Sequence, residues 1–250
     1  MNSKWSWPKS MAFLFLFVYI ILWSNSSQFL FTFLLEPLWQ KVIPWFASLV
    51  GHPTEISIFT NGSGDTTYNY YQVLFFAIVA LIVDTGITFL DRYRDNYETL
   101  LRWLTVFIRY YLAAQLINYG LVKMFYLQFT APSAYRLEQP LGEFSPMGLL
   151  WTFMGFSKGY TIFTGAAEFI AGLLLLSRRT TTLGALASFG VMVNVMFLNY
   201  CYDVPVKLLS THMVFLSLFL IAQDGKRLIQ LFITNPVSYT HLTLPTKRIV

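Results

Sequence analysis

What this sequence has least of is charge. Only 12% of its 250 residues are Asp, Glu, Lys or Arg, about half the share that a water-facing domain carries. A chain so poor in ionic groups cannot coat a soluble surface, which excludes an ordinary globular domain, a coiled coil and a disordered segment together. Cysteine is nearly missing. Cys201 stands alone, so no intrachain disulfide, Cys-x-x-Cys redox pair or thiolate metal cluster can form. The sequence also has no Walker loop, dinucleotide fingerprint, nucleophile elbow or His-Glu-x-x-His pair. Its net charge of +5 calls for no nucleic acid, because the placing of lysine and arginine around a membrane accounts for it.

What the chain does have is apolar surface: 56% of residues are hydrophobic and 18% aromatic, with a mean hydropathy of +0.54. Runs of about twenty apolar residues cross a bilayer core as helices, because lipid offers no partner to an unpaired backbone group. The expected fold is therefore all-α, a polytopic membrane helical bundle with about six spans, at 11–23, 70–90, 101–125, 148–176, 182–198 and 206–222. The first run follows Lys4 and Lys9 as a signal peptide would, but residues 23–27 (WSNSS) offer no small-x-small cleavage site, so it is read as an uncleaved span. Residues 28–50 are interrupted by Glu36-Pro37, Lys41 and Pro44 and are read as helix pieces on the outer surface, since proline removes a backbone donor. Residues 51–69 form a polar outer loop.

Orientation follows from the basic residues, which stay on the cytoplasmic side. With both termini inside, the cytoplasmic ends hold nine: Lys4, Lys9, Arg92, Arg94, Arg102, Arg178, Arg179, Lys226 and Arg227. The outer ends hold five: Lys41, Lys123, Arg136, Lys158 and Lys207. The last stretch stands apart. Residues 237–246 (VSYTHLTLPT) look like translated sequencing-adapter read-through, and 237–250 are read as a non-native tail that interrupts the natural frame near Pro236. Three parts result: a two-span extension (1–99), a four-helix membrane unit (100–230) and the tail.

Ionisable groups inside hydrocarbon are expensive unless paired or hydrated, so each is a candidate for function. Arg109 and Glu168 each lie about nine or ten residues from the cytoplasmic end of their expected spans, near mid-depth at about 1.5 Å per residue. They are expected to form a buried ion pair, serving either helix register or a site. Lys123 returns to within about 40° of the Arg109 face. Toward the outer side gather Lys123, Lys158, Asn199, Asp203, Lys207 and His212, a candidate ligand-binding set for an anion or a quinone carbonyl, lysine and histidine supplying donors. The bland alternative is snorkelling lysines beside an ordinary outer loop. Pro205 stops the last span from extending outward, which leaves backbone groups near Asp203 to face a cavity. No catalytic residue is identified, and no pair of histidines in the native part has metal-ligand spacing. Glycines 155, 159, 165, 172 and 184, with Ser188, are read as close-packing positions.

The stretch from Arg109 to Leu228 resembles the DoxX family of bacterial inner-membrane proteins. The marks are Arg109 and Lys123, then Gly165-Ala-Ala-Glu-Phe169 with Gly172-Leu-Leu-Leu-Leu176, then the basic turn Arg178-Arg179-Thr180. The segment from Asn199 to Lys207 is similar to that of longer members with two extra N-terminal spans. The resemblance implies a four-helix membrane unit and, by analogy only, a subunit of a quinone- or sulfur-linked redox complex with a redox partner protein and quinone as its ligand. Against it stand a non-catalytic scaffold or small-molecule carrier and, further off, a membrane-embedded modifying enzyme of the carboxylase-like type.

Overall fold

A computed structural model describes residues 4–26, 32–51, 56, 58, 63–90 and 96–234, the side chains of 32–34 excepted. The expected foreign tail, 237–250, lies outside the described residues, as do Arg92 and Arg94. Every regular element among the described residues is helical: α1 (Trp7–Ser26), α2 (Thr32–Leu49), α3 (Thr67–Leu90), α4 (Glu98–Met124), α5 (Ala134–Glu138), α6 (Pro146–Phe156), α7 (Lys158–Leu176), α8 (Thr181–Cys201), α9 (Lys207–Gln223) and α10 (Gly225–Ile229), with single turns of other helix at Leu141–Glu143 and Gln230–Thr234. Helices α1, α3, α4, α7 and α8 are long and apolar enough to cross a membrane. A sixth span exists if α9 and the helix after it, bent by 76°, count as one. This is an all-α bundle that fits a multi-pass membrane protein.

Two elements differ from expectation. Residues 28–50 were expected as pieces, yet α2 runs unbroken through Pro37 and Pro44. Packing decides this: Trp39, Ile43, Phe46 and Ala47 are buried on one side, with Trp39 edge-on to Phe76 at 5.1 Å and Phe46 edge-on to Phe75 at 5.2 Å. Contacts of that kind hold a helix through positions its propensity would break. The expected span 148–176 is instead two helices, α6 and α7, parted at Ser157. Ser157 is extended (φ −107°, ψ 98°), and its hydroxyl accepts from the Tyr160 backbone N–H to cap α7. Thr161 Oγ1 donates across the break to the Met154 carbonyl at 2.5 Å. A break at this depth persists because its freed backbone groups find partners within the protein.

The seam of the four-helix unit is α4 against α7, antiparallel and close. A side chain at Gly120 would place its Cβ 2.7 Å from the Gly165 carbonyl oxygen, and one at Gly165 the same distance from that of Gly120. Gly172 sits against Ile117 and the Ala113 carbonyl, Gly184 against the α7 backbone at Leu174 and Leu175. Gly155 is also closely covered, whereas Gly159 has nothing within 4 Å. Helices α8 and α9 are joined by the Ser188–Ser217 (2.7 Å) and Asn199–Ser210 (3.0 Å) hydrogen bonds. Small residues let backbones approach, and hydroxyls and amides then bond across the seam. One buried apolar cluster, including Phe13 and Trp23 of α1, Tyr111 of α4 and Met213 of α9, runs from the N-terminal helices into the four-helix unit.

Candidate functional site

The tight α4–α7 seam fixes which charges meet. Lys123 Nζ donates to Glu168 Oε1, forming a buried salt bridge. Glu168 is 2% exposed and Lys123 7%. The expected partner was Arg109, and the structure corrects this. Gly172 lies opposite Ala113 and Gly165 opposite Gly120 and Lys123, so Glu168 is level with the C-terminal turn of α4. Arg109 lies fourteen residues back, about 21 Å along the helix. Its guanidinium sits 4.6 Å over the Tyr110 ring, and its Nε has no hydrogen-bond partner among the described residues.

The Lys123–Glu168 pair lies on the wall of a cavity of about 480 Å³, open on one side and bounded by α4, α6, α7, α8 and α9. The wall is mostly apolar and aromatic, with Phe129, Trp151, Phe153, Phe163, Met154, Met192 and Met213. Polar groups are few: beside the ion pair stand Tyr119, Gln128, Thr164, Asn194, Asn199 and Ser210. On this wall, two buried acceptors, Glu168 Oε2 and Gln128 Oε1, have no hydrogen-bond partner among the described residues. A buried oxygen left without a donor is costly, and here both belong to residues of the cavity wall. The chemistry on offer is a donor at Lys123, acceptors at Glu168 and Gln128, and an apolar box around them, which is the composition of a small-molecule site.

The loop after α4 shapes one side. Tyr126 holds a left-handed backbone (φ 61°), unusual for an aromatic residue, and its hydroxyl donates to the Gly155 carbonyl at the end of α6. That bond ties the strained turn to the broken helix, placing Gln128 and Phe129 on the wall.

Of the six residues expected to bind ligand, Lys123 and Asn199 line the cavity, joined by Glu168. Lys158 is exposed at the start of α7 and does not line it. Lys207 pairs with Asp203 at 2.6 Å, outside the cavity lining. His212 faces α1 instead. Its ring stacks on Trp23 at 4.1 Å, its Nδ1 bonds the Leu208 carbonyl at 2.7 Å, and Tyr19 meets its Nε2 at 2.6 Å. A carbonyl only accepts, so Nδ1 carries the proton, and in the neutral ring Tyr19 donates to Nε2.

The expectation of unpaired backbone near Asp203 is also corrected. Asp65, in the segment before α3, accepts from the Lys207 and Leu208 N–H groups at 2.6 and 2.9 Å, and Gly64 N–H donates to the Pro205 carbonyl at 2.9 Å. Asp65 thus caps α9 from 142 residues away in sequence. Sequence reasoning missed Gln128, Tyr119, Thr164 and the α6 aromatics, which carry no charge and so gave no signal at the level of composition.

No family model and no solved structure matches the chain. An uncharacterised protein of Bacillus subtilis (strain 168), YwoB, is 34% identical to it over 129 residues, which cover 52% of this chain and 82% of the relative.

Proposed function

The chain belongs to the family of the uncharacterised Bacillus subtilis protein YwoB, and we propose, from the cavity and not from that relative, that it is a membrane protein binding a quinone-class amphiphile. The observation that carries this reading is the Lys123–Glu168 pair set in the wall of a mostly apolar cavity. Because Glu168 neutralises Lys123, and neither Lys158 nor His212 lines the cavity, there is no surplus positive charge to hold an anion. What suits the site is a neutral ring with carbonyl or hydroxyl oxygens: Lys123 donates to a carbonyl, Glu168 Oε2 accepts from a hydroxyl, and the aromatic wall packs on the ring and the start of its tail. Residues 100–230 then act as a DoxX-like four-helix unit in the bacterial inner membrane, a subunit of a quinone- or sulfur-linked redox complex. Both termini face the cytoplasm, following the nine-to-five bias of basic residues. A pure scaffold has no use for a cavity with unsatisfied acceptors, which is why that alternative ranks second.

The test is purification of the full chain in mild detergent, followed by extraction and mass spectrometry of bound small molecules. A quinone should be retained by the natural protein and lost in Gly190→Leu and Lys123→Ala. Gly190 lines the cavity with nothing within 4 Å of an added Cβ, so leucine there fills the site without disturbing a helix contact. Retention unchanged in both variants, or no quinone in the natural protein, overturns the proposal.

A further inference from the structure

Arg109 is a buried cation that the cavity does not use. It is 6% exposed, it makes no ion pair or hydrogen bond through its side chain among the described residues, and its Nε is a buried donor without an acceptor. A charge in that condition is expensive in a membrane protein unless something supplies the counter-charge. Among the described residues, the carboxylates at its end of the bundle already have other partners. Asp224 accepts from Thr182 at 2.5 Å and from Arg227 at 3.4 Å, Glu98 accepts from the Trp5 indole at 3.0 Å, and Asp84 accepts from Thr88 at 3.3 Å.

The seam fixes the level at which Arg109 stands. It stands eleven residues before Gly120, which at 100° per residue brings it within about 20° of the glycine stripe that faces α7. It also stands one turn beyond Ala113, which lies opposite Gly172. One turn past Gly172 is Leu176, where α7 ends. Arg109 therefore stands at the level where α7 stops and the Ser177–Thr180 turn begins, while α4 continues toward Glu98 for another eleven residues, about 16 Å. The unequal helix ends leave Arg109 level with the turn after α7, which carries the exposed Arg178 and Arg179. The carbonyl that the end of α7 presents at Leu174 is taken by Thr180 Oγ1 at 2.6 Å, and Arg109 donates to none of them. Two exposed aromatics, Trp103 and Tyr110, stand on the same stretch of α4, where such rings mark the headgroup level of a bilayer.

We propose that Arg109, with Arg178 and Arg179, forms a site for a phosphate group carried by an anionic phospholipid headgroup. The phosphate supplies the missing acceptor at Arg109, the two rim arginines add charge-assisted bonds, and the acyl chains run along the apolar surface near Tyr110. Basic pockets between membrane helices at the positively charged side take headgroups by this chemistry, and a guanidinium is the side chain best shaped for a phosphate.

The full chain in detergent is titrated with phosphatidylglycerol, with phosphatidylcholine and with inorganic phosphate, and bound lipid is read by native mass spectrometry beside the melting temperature. Phosphatidylglycerol should bind and raise the melting temperature, and phosphatidylcholine should not. A matching rise with inorganic phosphate alone would keep the site and assign its ligand as the free ion. Arg109→Gln should weaken phosphatidylglycerol binding about fivefold or more, and Arg178→Gln with Arg179→Gln should weaken it by about as much per charge removed. Arg109→Lys should recover part of the loss. Undiminished phosphatidylglycerol binding in the Arg178→Gln/Arg179→Gln double variant, whose changes are on the surface and leave the fold intact, overturns the proposal even if Arg109→Gln fails to fold. The outcome is independent of the cavity: quinone retention should be the same in the double variant as in the natural protein.

Discussion

Glu168 and Lys123 share one buried salt bridge, and Arg109 is not part of it. Removing one member of such a pair leaves an uncompensated charge and costs about 3–5 kcal/mol. Lys123→Met and Glu168→Gln should each lower the stability of the purified protein by an amount in that range. Lys123→Met combined with Glu168→Gln should recover much of the loss, giving a strong coupling in a double-mutant cycle. The same cycle run with Arg109→Gln and Glu168→Gln should give coupling near zero, since Arg109 stands 14 residues from Lys123 along α4 and shares no partner with Glu168. Denaturation followed by helical circular dichroism measures both, and a large Arg109–Glu168 coupling would restore the pairing first expected. That expectation failed for a definable reason. Depth was counted from the end of each helix as though the ends were level, whereas α4 has 27 residues and α7 has 19, and the glycine seam slides α4 past α7 by about three turns. The chemistry of the pair, a membrane glutamate with a basic partner on the facing helix, was legible. Which base it takes was not.

At the scale of elements, the four-helix unit rests on close contacts that admit no added atom and on a cap supplied from far away in sequence. Gly165→Ala would set a methyl group 2.7 Å from the Gly120 carbonyl, so α4 and α7 must part, costing about 1–3 kcal/mol by overpacking. Gly159→Ala, with open space around it, should be neutral or slightly stabilising through helix propensity. Asp65→Ala removes the carboxylate that holds the first two N–H groups of α9 and should cost about 0.5–2 kcal/mol. Thermal melts of the three variants test this, and equal melting temperatures for Gly165→Ala and Gly159→Ala would mean that the seam is not rigid. The small residues of α7 and α8 were visible as candidates in sequence, but Gly120 was overlooked and Gly159 was included, because a glycine's neighbours are set by the partner helix. The break at Ser157 was hidden for a similar reason: residues 148–176 are predominantly apolar, and hydroxyl caps part α6 from α7.

For the whole molecule, the expected arrangement has both termini cytoplasmic and the segment before α3 outside. With Cys201 replaced by serine, Ser63→Cys should be labelled by a membrane-impermeant thiol reagent from the outside and Thr181→Cys only after the membrane is opened. Labelling of Thr181→Cys from outside would invert the topology. The core that runs from Phe13 and Trp23 to Tyr111 and Met213, with Trp23 stacked on His212, ties the N-terminal helices to the unit that holds the cavity. His212 looked like a cavity residue by depth alone, and it is the packing of α1 against α9 that turns it the other way.

Composition and hydropathy period sufficed for the class of protein and the approximate places of its long helices, because twenty apolar residues in lipid have no alternative to a helix. They also sufficed to single out Lys123, Glu168 and Asn199, since polar groups in such runs are rare enough to be noticed. Only the tertiary structure decided the slide of α4 against α7, the partner of Glu168, the facing of His212 and the place of α6 in the cavity wall. Those depend on contacts between residues 30 to 190 positions apart, where a single glycine or a threonine hydroxyl sets the register, and no local pattern along the chain encodes which distant surface it will meet.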